Sequence, residues 1–120
     1  MKLLSREDFR KEVFKRDKGK CIVCGQPATA PHHIMDRSLW TDGGYYLDNG
    51  ASLCDKDHLK AESCEISCET LRDLVQIEVA MLPDGFDLFR RYDKWGNIFV
   101  NDVLKLKLIK GICRRSEESD

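Results

Sequence analysis

Residues 31–62 read Pro31-His32-His33-Ile34-Met35-Asp36-Arg37-Ser38-Leu39-Trp40-Thr41-Asp42-Gly43-Gly44-Tyr45-Tyr46-Leu47-Asp48-Asn49-Gly50-Ala51-Ser52-Leu53-Cys54-Asp55-Lys56-Asp57-His58-Leu59-Lys60-Ala61-Glu62. All three histidines of the chain fall here: His32, His33 and His58. Residues 29–34 suit a short strand, which sends His32 and His33 to opposite faces. Pro31 then belongs at a strand start or an edge. Asp42-Gly43-Gly44 and Asp48-Asn49-Gly50 are turn signals, so Tyr45-Tyr46-Leu47 is expected to return as a second strand. Leu53 to Glu62 reads as a helix, with Leu53, His58 and Ala61 near one face.

Upstream, Ser5 followed by Asp8 resembles a capping box, with Leu4 and Phe9 set as a hydrophobic staple. Phe9, Val13 and Phe14 recur at helical spacing, so a helix is expected over about 6–16. Gly19 is its expected stop. Cys21-Ile22-Val23-Cys24-Gly25 has the spacing of a metal knuckle. Two intervening residues let both sulfurs converge on one ion, and Gly25 permits the tight turn.

Downstream, Ser67 is placed as a cap with Glu69 in the first turn, which predicts a helix over about 68–80. Pro83-Asp84-Gly85 breaks it. A hairpin is expected over 92–100 around Trp95-Gly96-Asn97. The segment 102–113 alternates like a strand yet also fits a helix, and 114–120 reads as a frayed tail.

The chain has 120 residues, which suits one domain. An apolar fraction of 42% with 34% charged residues excludes a disordered tail. No apolar run approaches the roughly 20 residues needed to span a bilayer, and no signal-peptide core opens the chain. An intracellular, cytoplasmic protein without membrane contact follows, with its cysteines reduced. Six cysteines in such a chain point to metal rather than disulfides. Net charge is −1, so no global field attracts polyanions. Residues 1–20 differ: eight Lys and Arg against four Asp and Glu give +4. A nucleic acid would meet this segment first, through Lys15, Arg16 and Lys18, unless these only line the wet face of a helix.

Taken in order, Cys21-x-x-Cys24, His32-His33-Ile34, Gly43-Gly44, Asn49-x-x-x-Leu53-Cys54 and His58 resemble the HNH endonucleases. Phe14-Lys15-Arg16-Asp17 is similar to the lead-in of zinc-containing members. The resemblance covers about residues 5–62. It implies an α+β chain with a small ββα-metal (His-Me finger) core, flanking helices, and a C-terminal hairpin or helix. On this reading residues 63–113 are an extension and 114–120 a tail of the same domain.

The resemblance also implies roles. His33 becomes the general base that takes a proton from water. His32 and His58 hold a divalent ion that neutralises charge on the phosphorane. Imidazole ligands admit Mn²⁺, Ni²⁺, Co²⁺ or Zn²⁺ beside Mg²⁺. Asn49 either ligates the ion or pins the loop and the base. Cys21, Cys24 and Cys54 hold a structural zinc whose fourth ligand is Asp57, with Cys68 or Cys64 as the alternatives. His58 could instead be diverted to that zinc. Arg37 could reach the scissile phosphate. Trp40, Tyr45 and Tyr46 either stack on bases or pack the loop. The implied activity is hydrolysis of nucleic-acid phosphodiesters, double-stranded DNA foremost and structured RNA next. Near-neutral charge suits a homodimer or a partner protein that supplies reach. The alternative class is a non-catalytic zinc module that binds nucleic acid or protein.

Overall fold

A computed structural model describes residues 2–98. Its order is α1 (Arg6–Arg16), β1 (Ala30–His33), β2 (Gly50–Leu53), α2 (Asp55–Glu62) and α3 (Cys68–Leu74). Single 3₁₀ turns at Arg37–Leu39 and Leu47–Asn49 interrupt the long β1–β2 connection. The described residues thus form a small α+β fold with one two-stranded antiparallel sheet. No helix among the described residues is long and apolar enough to cross a membrane.

α1 begins where its sequence says it should. Ser5 accepts a hydrogen bond from the Asp8 amide at 3.1 Å, and Glu7 and Asp8 sit against the positive end of the helix dipole. Phe9 and Val13, four apart, are its buried face. Each helix then ends on a residue with positive φ that is not glycine: Lys18 at 58°, Cys64 at 63° and Gln76 at 62°. After α1 the expected Gly19 follows at 71°.

Register pairs His33 with Gly50 and His32 with Ala51. Directly opposite residues share a face, so the sheet has two different sides. Gly50 faces α1, where an added Cβ would lie 2.5 Å from Val13 Cγ2 and 2.8 Å from Phe9 Cζ. No side chain other than hydrogen fits between helix and strand there. Ala51 and Leu53 face the opposite way, into a core with Ile34, Met35, Ala61, Cys68 and Leu71. β2 is buried along its whole length because helices cover both sides.

Three expectations change. The second strand is Gly50–Leu53, not Tyr45–Leu47. Tyr45 and Tyr46 lead into the 3₁₀ turn instead. The third helix stops at Leu74 rather than about 80, because Gln76 turns left-handed. The expected hairpin starts at Tyr92, which bridges Ile98. Its remainder, the 102–113 segment, Cys113 and the tail lie outside the described residues.

Asp93 builds that last turn. Its carboxylate accepts from the Trp95 and Asn97 amides, each at 2.9 Å, and from Asn97 Nδ2 at 3.0 Å. The turn reaches back to the sheet. Buried Lys94 (4% exposed) donates to the His33 carbonyl at 3.1 Å and to Asp36 Oδ1 at 3.4 Å. Trp95 Nε1 donates to the Glu62 carbonyl at the end of α2, at 3.0 Å.

Candidate metal centres

Among the described residues, two groups of side chains that could hold a metal ion form, each with members on α2. In the first, the turn after α1 brings Cys21 and Cys24 against the start of α2. The ligand atoms of Cys21, Cys24, Cys54 and Asp57 lie within 4.8 Å of one another. Asp57 Oδ2 is 3.2 Å from Cys21 Sγ and 3.3 Å from Cys54 Sγ, and Cys24 Sγ is 3.7 Å from Cys54 Sγ. A tetrahedron with Zn–S bonds of about 2.3 Å has S···S edges of about 3.8 Å, so the spacing is compatible with zinc. Hydrogen bonds from the thiols, Cys21 first, hold the Asp57 carboxyl below its ordinary value. A carboxylate so held is charged and can stand as the fourth donor beside the three sulfurs.

The second group lies in a cleft of about 660 Å³ between α1, the β1 edge and α2. The ligand atoms of His32, His58 and Glu62 fall within 4.8 Å of one another. His58 Nε2 and Glu62 Oε1 are 3.0 Å apart across one turn of α2. The His32 ring meets that of His58 edge-on, with centroids 4.9 Å apart. His32 is 1% exposed, and neither Nδ1 nor Nε2 has a hydrogen-bond partner. An orphaned buried imidazole costs free energy unless something takes its lone pair. Two imidazoles and a carboxylate around that orphan fit a divalent ion.

His33 projects from the other face of β1, stacked on Phe9 at 4.8 Å with Tyr45 edge-on at 5.1 Å. Its Nε2 also lacks a partner. Burial, then the Lys94 ammonium, lower its pKa to about 4, against the raising effects of Asp36 and a Gly43 backbone hydrogen bond. Burial, followed by Lys94, His58 and His33, holds His32 well below its ordinary value. Both rings are therefore uncharged at neutral pH, one able to bind a cation and the other able to accept a proton.

Asn49, fully buried, has its amide spent on the loop. Oδ1 accepts from the Met35 amide at 2.9 Å, and Nδ2 donates to the carbonyls of Met35 at 3.1 Å and Gly44 at 3.2 Å. These bonds fix the loop between Met35 and Gly44. Arg37 is exposed at the cleft wall. Trp40, Tyr45 and Tyr46 pack the loop: Trp40 Nε1 donates to the Met35 carbonyl at 3.3 Å, and Tyr46 Oη donates to Asp42 at 2.6 Å.

The remaining candidates stand elsewhere in the fold. Arg16 is a clamp inside the fold. Its Nε and Nη2 meet the two Asp17 oxygens at 2.7 and 2.9 Å, and it also donates to the carbonyls of Leu47 and Gly50. Neither Lys15 nor Lys18 borders the histidine cleft; Arg6 and Arg10 of α1 do. Cys68 lies in the core against the Ile34 carbonyl, 3.4 Å away, and burial pushes its thiol up to about 12. Cys64 follows the end of α2 with a left-handed backbone, φ 63°. Neither joins Asp57 in the cysteine group, and His58 stands with His32 rather than with the cysteines.

Glu62 and Lys94 were not singled out from the sequence. The signal for Glu62 was its place four residues after His58 on one helix face. Nothing local marks Lys94, whose contacts lie about sixty residues away. Comparison of the chain with family models, with curated proteins and with solved structures returned no match.

Proposed function

We propose that this chain is a metal-dependent nuclease of the HNH type, with β1, β2 and α2 as its ββα-metal core. It hydrolyses phosphodiester bonds of nucleic acid, double-stranded DNA foremost. One observation carries the reading. Adjacent residues of one strand present unpartnered imidazole nitrogens in a single cleft, His32 beside two further ligands and His33 apart from them.

The side chains divide the work as follows. Neutral His33 offers Nε2 as the acceptor for the proton of the attacking water. Its stacking on Phe9 and the Lys94 bond to its carbonyl fix the ring and the backbone beneath it. Asn49 holds the loop from Met35 to Gly44 that closes over it. Arg6, Arg10 and Arg37 at the cleft walls present guanidinium groups to the phosphate. A divalent ion held by His32, His58 and Glu62 would neutralise charge developing on the phosphoryl oxygens. Cys21, Cys24, Cys54 and Asp57 would hold a zinc ion that ties the turn after α1 to α2.

The test is nicking of supercoiled plasmid with Mg²⁺, Mn²⁺ or Ni²⁺, with an RNA duplex in parallel. His33→Ala should slow cleavage by about 100-fold or more without unfolding the protein. An unchanged rate defeats the assignment of the base. No cleavage of either substrate with any of these ions leaves a non-catalytic zinc module as the function.

A further inference from the structure

Only three residues among those described carry buried side-chain donors or acceptors without a partner: His32, His33 and Arg72. The histidines mark the metal cleft. Arg72, on α3, borders a second cleft of about 370 Å³ that shares no lining residue with the first. Its unpaired atoms are Nε and Nη2. These two N–H groups point the same way, along one edge of the guanidinium, and together grip two oxygens of one oxyanion. The molecule contains the completed version: the same two atoms of Arg16 meet both oxygens of Asp17.

We propose that Arg72 is the anchor of a second anion site, which takes a phosphate group. The phosphate is carried on a nucleic-acid strand or is free in solution. Arg90 and Arg91 border the same cleft. After one fork is filled, a tetrahedral phosphate has whole oxygens left for a second arginine, whereas a carboxylate has only the second lone pairs of the same two oxygens. Glu69, Asp73 and Glu78 border it too. Glu69 meets Arg91 at 3.5 Å. The acids keep the cleft near neutral, so selectivity rests on the fork and affinity is modest. At rest the fork edge is turned away from solvent, yet Arg72 as a whole is only partly buried. Turning that edge into the cleft breaks no hydrogen bond at Nε or Nη2 and pairs two donors that have none. The site stands or falls independently of whether the histidine cleft cuts.

Side-chain Nε–Hε resonances of ¹⁵N-labelled His33→Ala protein are followed without added divalent metal, which keeps the nucleic-acid ligands intact under the proposed metal-dependent cleavage. Inorganic phosphate, a 5′-mononucleotide, a short single-stranded oligonucleotide and acetate are titrated in turn. A saturable shift of Arg72 with the phosphate-bearing ligands is expected. Arg72→Lys in the same background, which keeps the charge and loses the fork, should weaken phosphate binding about tenfold with its amide spectrum preserved. Tighter binding of the oligonucleotide than of phosphate assigns the site to a strand; equal binding assigns it to the free ion. No saturable shift from any ligand, acetate as tight as phosphate, or full binding by Arg72→Lys overturns the proposal.

Discussion

Two adjacent histidines have opposite surroundings because a strand alternates. His33 shares the α1 face with Gly50, and His32 shares the α2 face with Ala51. Both carry depressed pKa values, with burial the largest cause. The sign for stability follows. A histidine that resists protonation in the fold but titrates near 6.5 when unfolded binds fewer protons native than unfolded. Its stability contribution is fully present above pH 6.5 and is lost as pH falls toward about 4, the folded value for His33. Urea unfolding of protein with no ion on the histidines should therefore show stability falling across that window. His33→Gln should remove roughly one proton's worth of the slope. An identical slope in the variant would mean that His33 titrates like an exposed ring.

The helices were easier to read than the strands. α1 announces itself through Ser5, Asp8 and the Phe9–Val13 spacing, and it runs as expected. Tyr45-Tyr46 has better strand composition than Gly50-Ala51-Ser52-Leu53, yet the latter pairs with β1. Burial between two layers decided it: β2 needs small residues where α1 approaches, and no local preference records that need. Gly50→Ala tests the point. With Val13 and Phe9 in the way, it should destabilise by about 1–3 kcal/mol, read from the urea midpoint. A neutral effect would show that α1 can shift outward. The third helix was overdrawn because Leu74, Val75 and Ile77 continue an apolar pattern past the residue, Gln76, that ends it.

For the molecule as a whole, both candidate groups draw members from α2, Asp57 for one and His58 and Glu62 for the other, so the position of that helix bears on both. If the cysteine group holds zinc as proposed, removing it with a chelator should lower Tm by several degrees for a chain of this size. Asp57→Ala should weaken zinc retention in a competition with a chromogenic chelator while leaving Cys21, Cys24 and Cys54 in place. Equal zinc content and affinity in that variant would show that Asp57 is no ligand. The clustering candidates Cys21, Cys24, Cys54, Asp57, His32 and His58 were legible because metal chemistry needs few residue types at narrow spacings, while Glu62 was not. What encloses them was not, since the 92–98 turn joins the sheet through contacts made by folding alone. Lys94 on the His33 carbonyl and Trp95 on the Glu62 carbonyl hold both walls of the histidine cleft from outside the 31–62 stretch. The candidate groups are accordingly no transplantable cassette. A gene fragment cut after Glu62 would carry every expected coordinating atom and leave behind the brace that keeps them facing one another.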